Sequence, residues 1–150
     1  MKKILSLIFI AGMFAACSEP LCLNSGNEVQ LDKWTLSQDV CNMSFDVTVP
    51  STVAGVLYDE GALGTDLLEG LNYYNADKSV FDTPWTYRTE FDVEIVEGQN
   101  YDLIFNGLNY YADIVLNDVC IASSDTTYGV FIRREYNVTD LLKKNNTLEV

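Results

Sequence analysis

From Trp85 to Ile95 the chain alternates with period two. Trp85, Tyr87, Phe91, Val93 and Ile95 are apolar, with Thr89 in the same phase, while Thr86, Arg88, Glu90, Asp92 and Glu94 between them are polar or charged. In a strand, successive side chains point to opposite faces, so this pattern predicts a central strand with one dry face and one wet one. Pro84 precedes it, where a missing N–H interrupts no ladder. A dry face this aromatic needs paired neighbours and a second covering layer.

The rest of the chain supplies them. Val29, Leu31, Trp34 and Leu36 predict a first strand with an irregularity near Lys33, and Phe45, Val47 and Val49 a second that Pro50 stops. A short helix is expected next, with Ser51 as cap, Val53, Val56 and Leu57 on one face and Gly61 at its end. Leu63 to Asp82 reads as a long connection punctuated by Gly64, Gly70, Asn72, Asn75 and Asp77. Tyr101, Leu103 and Phe105 mark another strand; Ile114 and Leu116 lead through a tight Asn117-Asp118 turn into Val119 to Ser123. Gly129 to Val138 alternates again, interrupted by Arg134, and Thr139 is placed to cap one helical turn before Thr147 to Val150. About eight short strands with an early helix predict an all-β fold, an antiparallel jelly-roll β-sandwich over residues 29–150. No turn or polar tail follows Val150, so the last strand is expected to be truncated and the sandwich incomplete there.

Residues 1–17 read as a leader. Lys2-Lys3 precede the uncharged stretch Ile4 to Ala16, too short to span a bilayer comfortably. Phe14-Ala15-Ala16-Cys17 resembles a bacterial lipobox with Phe where Leu is usual, which makes Cys17 the lipidation site of an exported, membrane-anchored protein; an ordinary secretory signal is the other reading. Residues 18–28 form a tether. Cys22, Cys41 and Cys120 remain, enough for one disulfide of unspecified pairing, with no CxxC; Cys41 and Cys120 are expected to be small core residues. Charge and histidine content narrow the chemistry. The chain has 22 acidic and 9 basic residues, net −13, which repels phosphate backbones and argues against nucleic acid as a partner. It has no histidine, which excludes Ser-His-Asp and Cys-His nucleophiles and His-containing zinc sites. No metal or other cofactor is implied.

Seven short segments in order carry a family resemblance: Trp34-Thr35-Leu36-Ser37, Val49 to Val53, Gly70-Leu71-Asn72, Pro84 to Phe91, Phe105 to Leu108, Ala112 to Asn117 and Val138 to Leu142. Together they resemble the N-terminal galactose-binding-like jelly-roll domain of family 2 glycoside hydrolases, in the β-mannosidase and exo-β-glucosaminidase branch. The resemblance implies a glycan substrate, downstream domains as partners, and catalytic glutamates on a barrel of roughly 250 residues that this length cannot hold. It also implies a substrate contact near Asp82, where related β-galactosidase domains carry an amide.

Retaining hydrolysis needs two carboxyl groups about 5 Å apart. Glu90, Asp92 and Glu94 share the wet face of one strand and Asp59-Glu60 lie near a helix end, so all five read as solvated surface. No catalytic residue is therefore assigned. Sugar recognition suits the long connection better, because aromatic rings cover the C–H face of a pyranose while amides and carboxylates bind its hydroxyls. The candidates are Asn72, Tyr73, Tyr74, Asp82 and Trp85; Trp85 by its phase also reads as core, and Tyr73-Tyr74 also as packing for their own loop. Three functions fit: the substrate-rim domain of an exported exo-β-glycosidase, a free-standing carbohydrate-binding lipoprotein, or an adhesion module.

Overall fold

The computed structural model describes residues 28–64 and 66–150. The leader with Cys17, most of the tether and Cys22 lie outside them. The described residues form eight strands: β1 (Lys33–Gln38), β2 (Met43–Thr48), β3 (Thr86–Asp92), β4 (Asp102–Phe105), β5 (Ile114–Leu116), β6 (Val119–Ala122), β7 (Arg134–Asn137) and β8 (Asn145–Glu149). Six form an antiparallel sheet in the order β2-β1-β3-β8-β5-β6, and β4 and β7 pair as a second, two-stranded sheet. The fold is the expected antiparallel galactose-binding-like sandwich.

The period-two stretch is indeed central. β3 pairs with β1 on one side (Leu36 opposite Tyr87) and with β8 on the other (Thr89 opposite Leu148). Leu36, Ile114, Leu116 and Leu148 are wholly buried, each contributing about 2–3 kcal/mol through removal of apolar surface from water. Val93, Tyr101 and Val138 join Ile114, Leu116 and Leu148 in one cluster, against which Leu103 and Phe105 of β4 and Tyr136 of β7 pack. The small sheet thus covers the inner face of the large one. Arg88 faces outward, donating to Glu149 across the β3–β8 pair and to Glu90 on its own strand.

Several local expectations shift. The strand ends at Asp92, so Ile95 leaves the core and is 47% exposed. Helix α1 (Val53–Asp59) is capped by Thr52, whose Oγ1 accepts the Gly55 N–H, and not by Ser51; the Ser51 carbonyl instead accepts the Tyr87 hydroxyl. Gly61 closes α1 at φ +70°, a conformation open to glycine. The Asn117-Asp118 turn has positive φ at both residues, the primed hairpin geometry that matches strand twist. β7 is shorter than the alternation from Gly129 predicted, beginning only at Arg134. Thr139 is not a helix cap: its Oγ1 accepts the Tyr101 N–H and ties the turn after β7 to the start of β4. Cys41 and Cys120 are exposed free thiols rather than core residues, Cys120 because it lies on the outer face of β6.

Candidate functional site

The connection between α1 and β3 carries all five candidate residues and folds into two short turns, helix α2 (Asn72–Asn75) and a 3-10 turn (Ser79–Phe81). Leu67 is buried and roots its first half. Asn72 donates from Nδ2 to the Asp66 carbonyl at 2.8 Å, closing the loop on itself. Lys78 lies over the Tyr73 ring, 4.4 Å from its centroid, a cation–π contact that keeps this ring on the loop. Tyr74 projects furthest, 80% exposed. The Asp77 carboxylate accepts the Ser79 N–H at 2.9 Å, which starts the 3-10 turn and holds Asp77 below the ordinary carboxylate range. Asp82 ends that turn and is exposed, its N–H on the Ser79 carbonyl.

Trp85 joins the sheet to the loop. Its ring stacks on Phe45 of β2 at 6.4 Å, half-buried, while its indole N–H donates to the Val80 carbonyl at 3.0 Å. The side chain therefore clamps the loop to the sheet. Tyr74 and Asp82 are the candidates that the structure leaves most open to a ligand, while Asn72, Tyr73 and Trp85 chiefly shape the loop that presents them.

The residue that sequence reasoning missed is Gln38. It is 3% exposed at the end of β1, and its Nε2 donates to the Val80 carbonyl, the Thr83 carbonyl and hydroxyl, and weakly to the Pro84 carbonyl. One buried amide thus fixes the segment that contains Asp82. Its polar side chain at an inward-facing position of an alternating strand was the available signal, since a buried amide needs partners. Tyr87, beside it on β3, has its phenol pushed above the ordinary value by burial.

The carboxylates of the outer face are engaged elsewhere. Glu90 pairs with Arg88 and Asp92 accepts from Asn145 Nδ2 at 2.6 Å, both across or along strands, in keeping with solvated surface. A shallow concavity lies over the outer face of β2-β1-β3, lined by Lys33, Thr35, Asp46, Thr48, Arg88 and Glu90, and a smaller one over Glu90, Asp92 and Asn145; none of the five candidates lines either.

The sandwich thus carries a long, anchored loop ahead of its central strand. Residues 34–150 match the glycosyl hydrolase 2 galactose-binding domain-like family, and the chain belongs to it. It is 31% identical over 134 residues to the exo-β-D-glucosaminidase of Hypocrea jecorina, covering 85% of this chain and 15% of that protein. It is 30% identical over 149 residues to the β-mannosidase of Rattus norvegicus, covering 97% and 16%. Among solved structures, the exo-chitosanase of Amycolatopsis orientalis superposes with a TM-score of 0.72 at 22% identity over 83% of this chain and 16% of that one, a likeness of fold. The β-D-mannosidase of Dictyoglomus thermophilum gives 0.67 at 27% identity, over 81% and 15%. The chain spans about a sixth of the length of each.

Proposed function

We propose that this chain is the rim domain of an exported, lipid-anchored exo-β-glycosidase of the β-mannosidase type, which shapes the entrance to a sugar site whose catalytic carboxylates lie in another domain. One observation carries the reading: Gln38 and Trp85 hold a loop whose exposed Tyr74 and Asp82 offer a ring and a carboxylate to a sugar, and neither lines either of the two concavities described above. A rim needs an opposing wall to bury most of a ligand. The length of the named relatives supports the presence of such a wall in the parent protein. Export and acylation at Cys17 rest on the leader and are tested by labelling with a radioactive fatty acid, which Cys17→Ala should abolish.

The chain alone is expected to hydrolyse neither β-mannosides nor β-glucosaminides; measurable turnover would overturn the placement of the catalytic groups. In the parent enzyme, Asp82→Ala is expected to lower kcat/KM by roughly 10-fold, the size of one lost hydrogen bond between a charged group and a hydroxyl. An unchanged value removes Asp82 from the site. A free-standing carbohydrate-binding lipoprotein would instead bind oligosaccharide tightly without any partner domain.

A further inference from the structure

The concavity over the outer face of β2-β1-β3 has a volume of about 520 Å³, within the range of small-molecule sites. Strand register fixes what lines it. Asp46, Thr35, Arg88 and Glu149 stand in one row across β2, β1, β3 and β8, and Thr48 stands opposite Lys33. The smaller concavity over Asp92, Asn145 and Thr147 shares Glu90 with the first, so the two make one trough across four strands, about 14 Å long at the usual strand spacing of about 4.8 Å. Its middle is cross-braced: Arg88 donates to Glu149 at 2.5 Å and to Glu90 at 3.0 Å, and Asn145 donates to Asp92 at 2.6 Å. Its β2-β1 end is open. There the Lys33 ammonium, the Asp46 carboxylate and the hydroxyls of Thr35 and Thr48 make no ion pair or hydrogen bond among the described residues, and Lys33, Asp46 and Thr48 are exposed.

We propose that this trough binds a neutral oligosaccharide laid across β2-β1-β3, at a place separate from the 63–85 loop. A sugar hydroxyl both donates and accepts, so it is best met where donors and acceptors stand side by side. Asp46 accepts, Lys33 donates, and Thr35 and Thr48 beside them do either. The free charges at this end are one of each sign, so a uronate is repelled by Asp46 and an amino sugar by Lys33. A protein partner is poorly suited, because interface cores are apolar and no exposed large apolar side chain lines the trough. Alternation along a strand by itself makes only a wet face. Concavity and cross-bracing add to it, since side chains fixed beforehand lose less freedom when a ligand arrives. The inference needs no further domain and does not rest on the glycosidase reading.

The test uses the whole 150-residue chain, titrated with mannotriose, with the glucosamine trimer and with trigalacturonate, and followed by calorimetry and by amide NMR shifts. Mannotriose should bind saturably with a dissociation constant on the order of 1 mM, because hydrogen bonds are its main contacts. The shifts should gather at residues 33–35, 46–48 and 88–90. Asp46→Ala and Lys33→Ala should each weaken binding about 5-fold, whereas Asp46→Asn, which keeps an acceptor, should retain most of it. Both positions are exposed, so Tm should move by less than about 3 °C in each variant. Should one alanine variant fail to fold, the other decides the same question. The two charged trimers should bind more weakly than the neutral one. The proposal is overturned if mannotriose does not saturate below about 20 mM, if the shifts gather at residues 72–85 instead, if a charged trimer binds more tightly, or if neither alanine variant weakens binding. Turnover of a β-mannoside by the chain alone would sink the placement of the catalytic groups while leaving the titration results as they are.

Discussion

The loop from Leu63 to Trp85 and the interlocked segments around Tyr110 and Tyr128 both present tyrosines to solvent, yet they are restrained by opposite means. The first is tied down from outside: Gln38 of β1 holds its carbonyls and Trp85 rests on Phe45 of β2. The second pair holds itself, backbone against backbone, with the Thr127 hydroxyl bridging both sides of Ala112. A loop fixed through two side chains, Gln38 and Trp85, can shift as a unit when either anchor changes. Segments locked to each other keep one arrangement.

Trypsin separates the two regions, because Lys78 lies in the first and Arg133 directly follows the second, both exposed. The largest effect is expected from Thr127→Val. It removes the hydroxyl of a fully buried side chain and leaves the N–H and the carbonyl of half-buried Ala112 without that partner, costing about 2–3 kcal/mol, and cutting at Arg133 should quicken while cutting at Lys78 does not. Gln38→Leu should cost less, about 1–2 kcal/mol, because its Oε1 is buried without a partner and its removal offsets part of the loss. Here the order of cleavage reverses, with Lys78 exposed first. If both variants accelerate both cuts equally, the regions are not independent and the comparison fails.

The smallest effect concerns Asp77, whose carboxylate the Ser79 N–H holds low. A folded-state pKa below the unfolded one means that its contribution is present above the ordinary value near 3.8 and is lost as pH falls through the lower one. Thermal unfolding of Asp77→Asn should therefore differ slightly from the native chain above about pH 5 and converge with it as pH falls through the lowered value. A difference that persists at low pH would show that the asparagine disturbs the 3-10 turn itself.

Much of the architecture was legible because it is local. Alternation through Trp85 to Val93, Phe45 to Val47 and Ile114 to Leu116 names strands and their dry faces, Asn117-Asp118 names its turn, and Pro50 and Gly61 bracket the helix. Errors came where a neighbour outbid the local signal. Ser51 lost the cap to Thr52, Thr139 turned to Tyr101, and Ile95 fell beyond the last paired residue. Of the candidate site, the sequence located the loop and its tyrosines but could not divide clamp from contact, since Trp85 depends on a ring forty residues away.

By itself, the sequence determined the fold class, the family and the absence of histidine chemistry, because periodicity, turn residues and composition are properties of short windows or of the whole count. Tertiary structure decided that Gln38 anchors the 63–85 loop, that Cys41 and Cys120 face water, and that two uncharged segments meet backbone against backbone. Each of these depends on which distant residues pairing brings together. Gln38 meets Thr83 across 45 positions only because β1 lies beside β3, and no local pattern encodes that register.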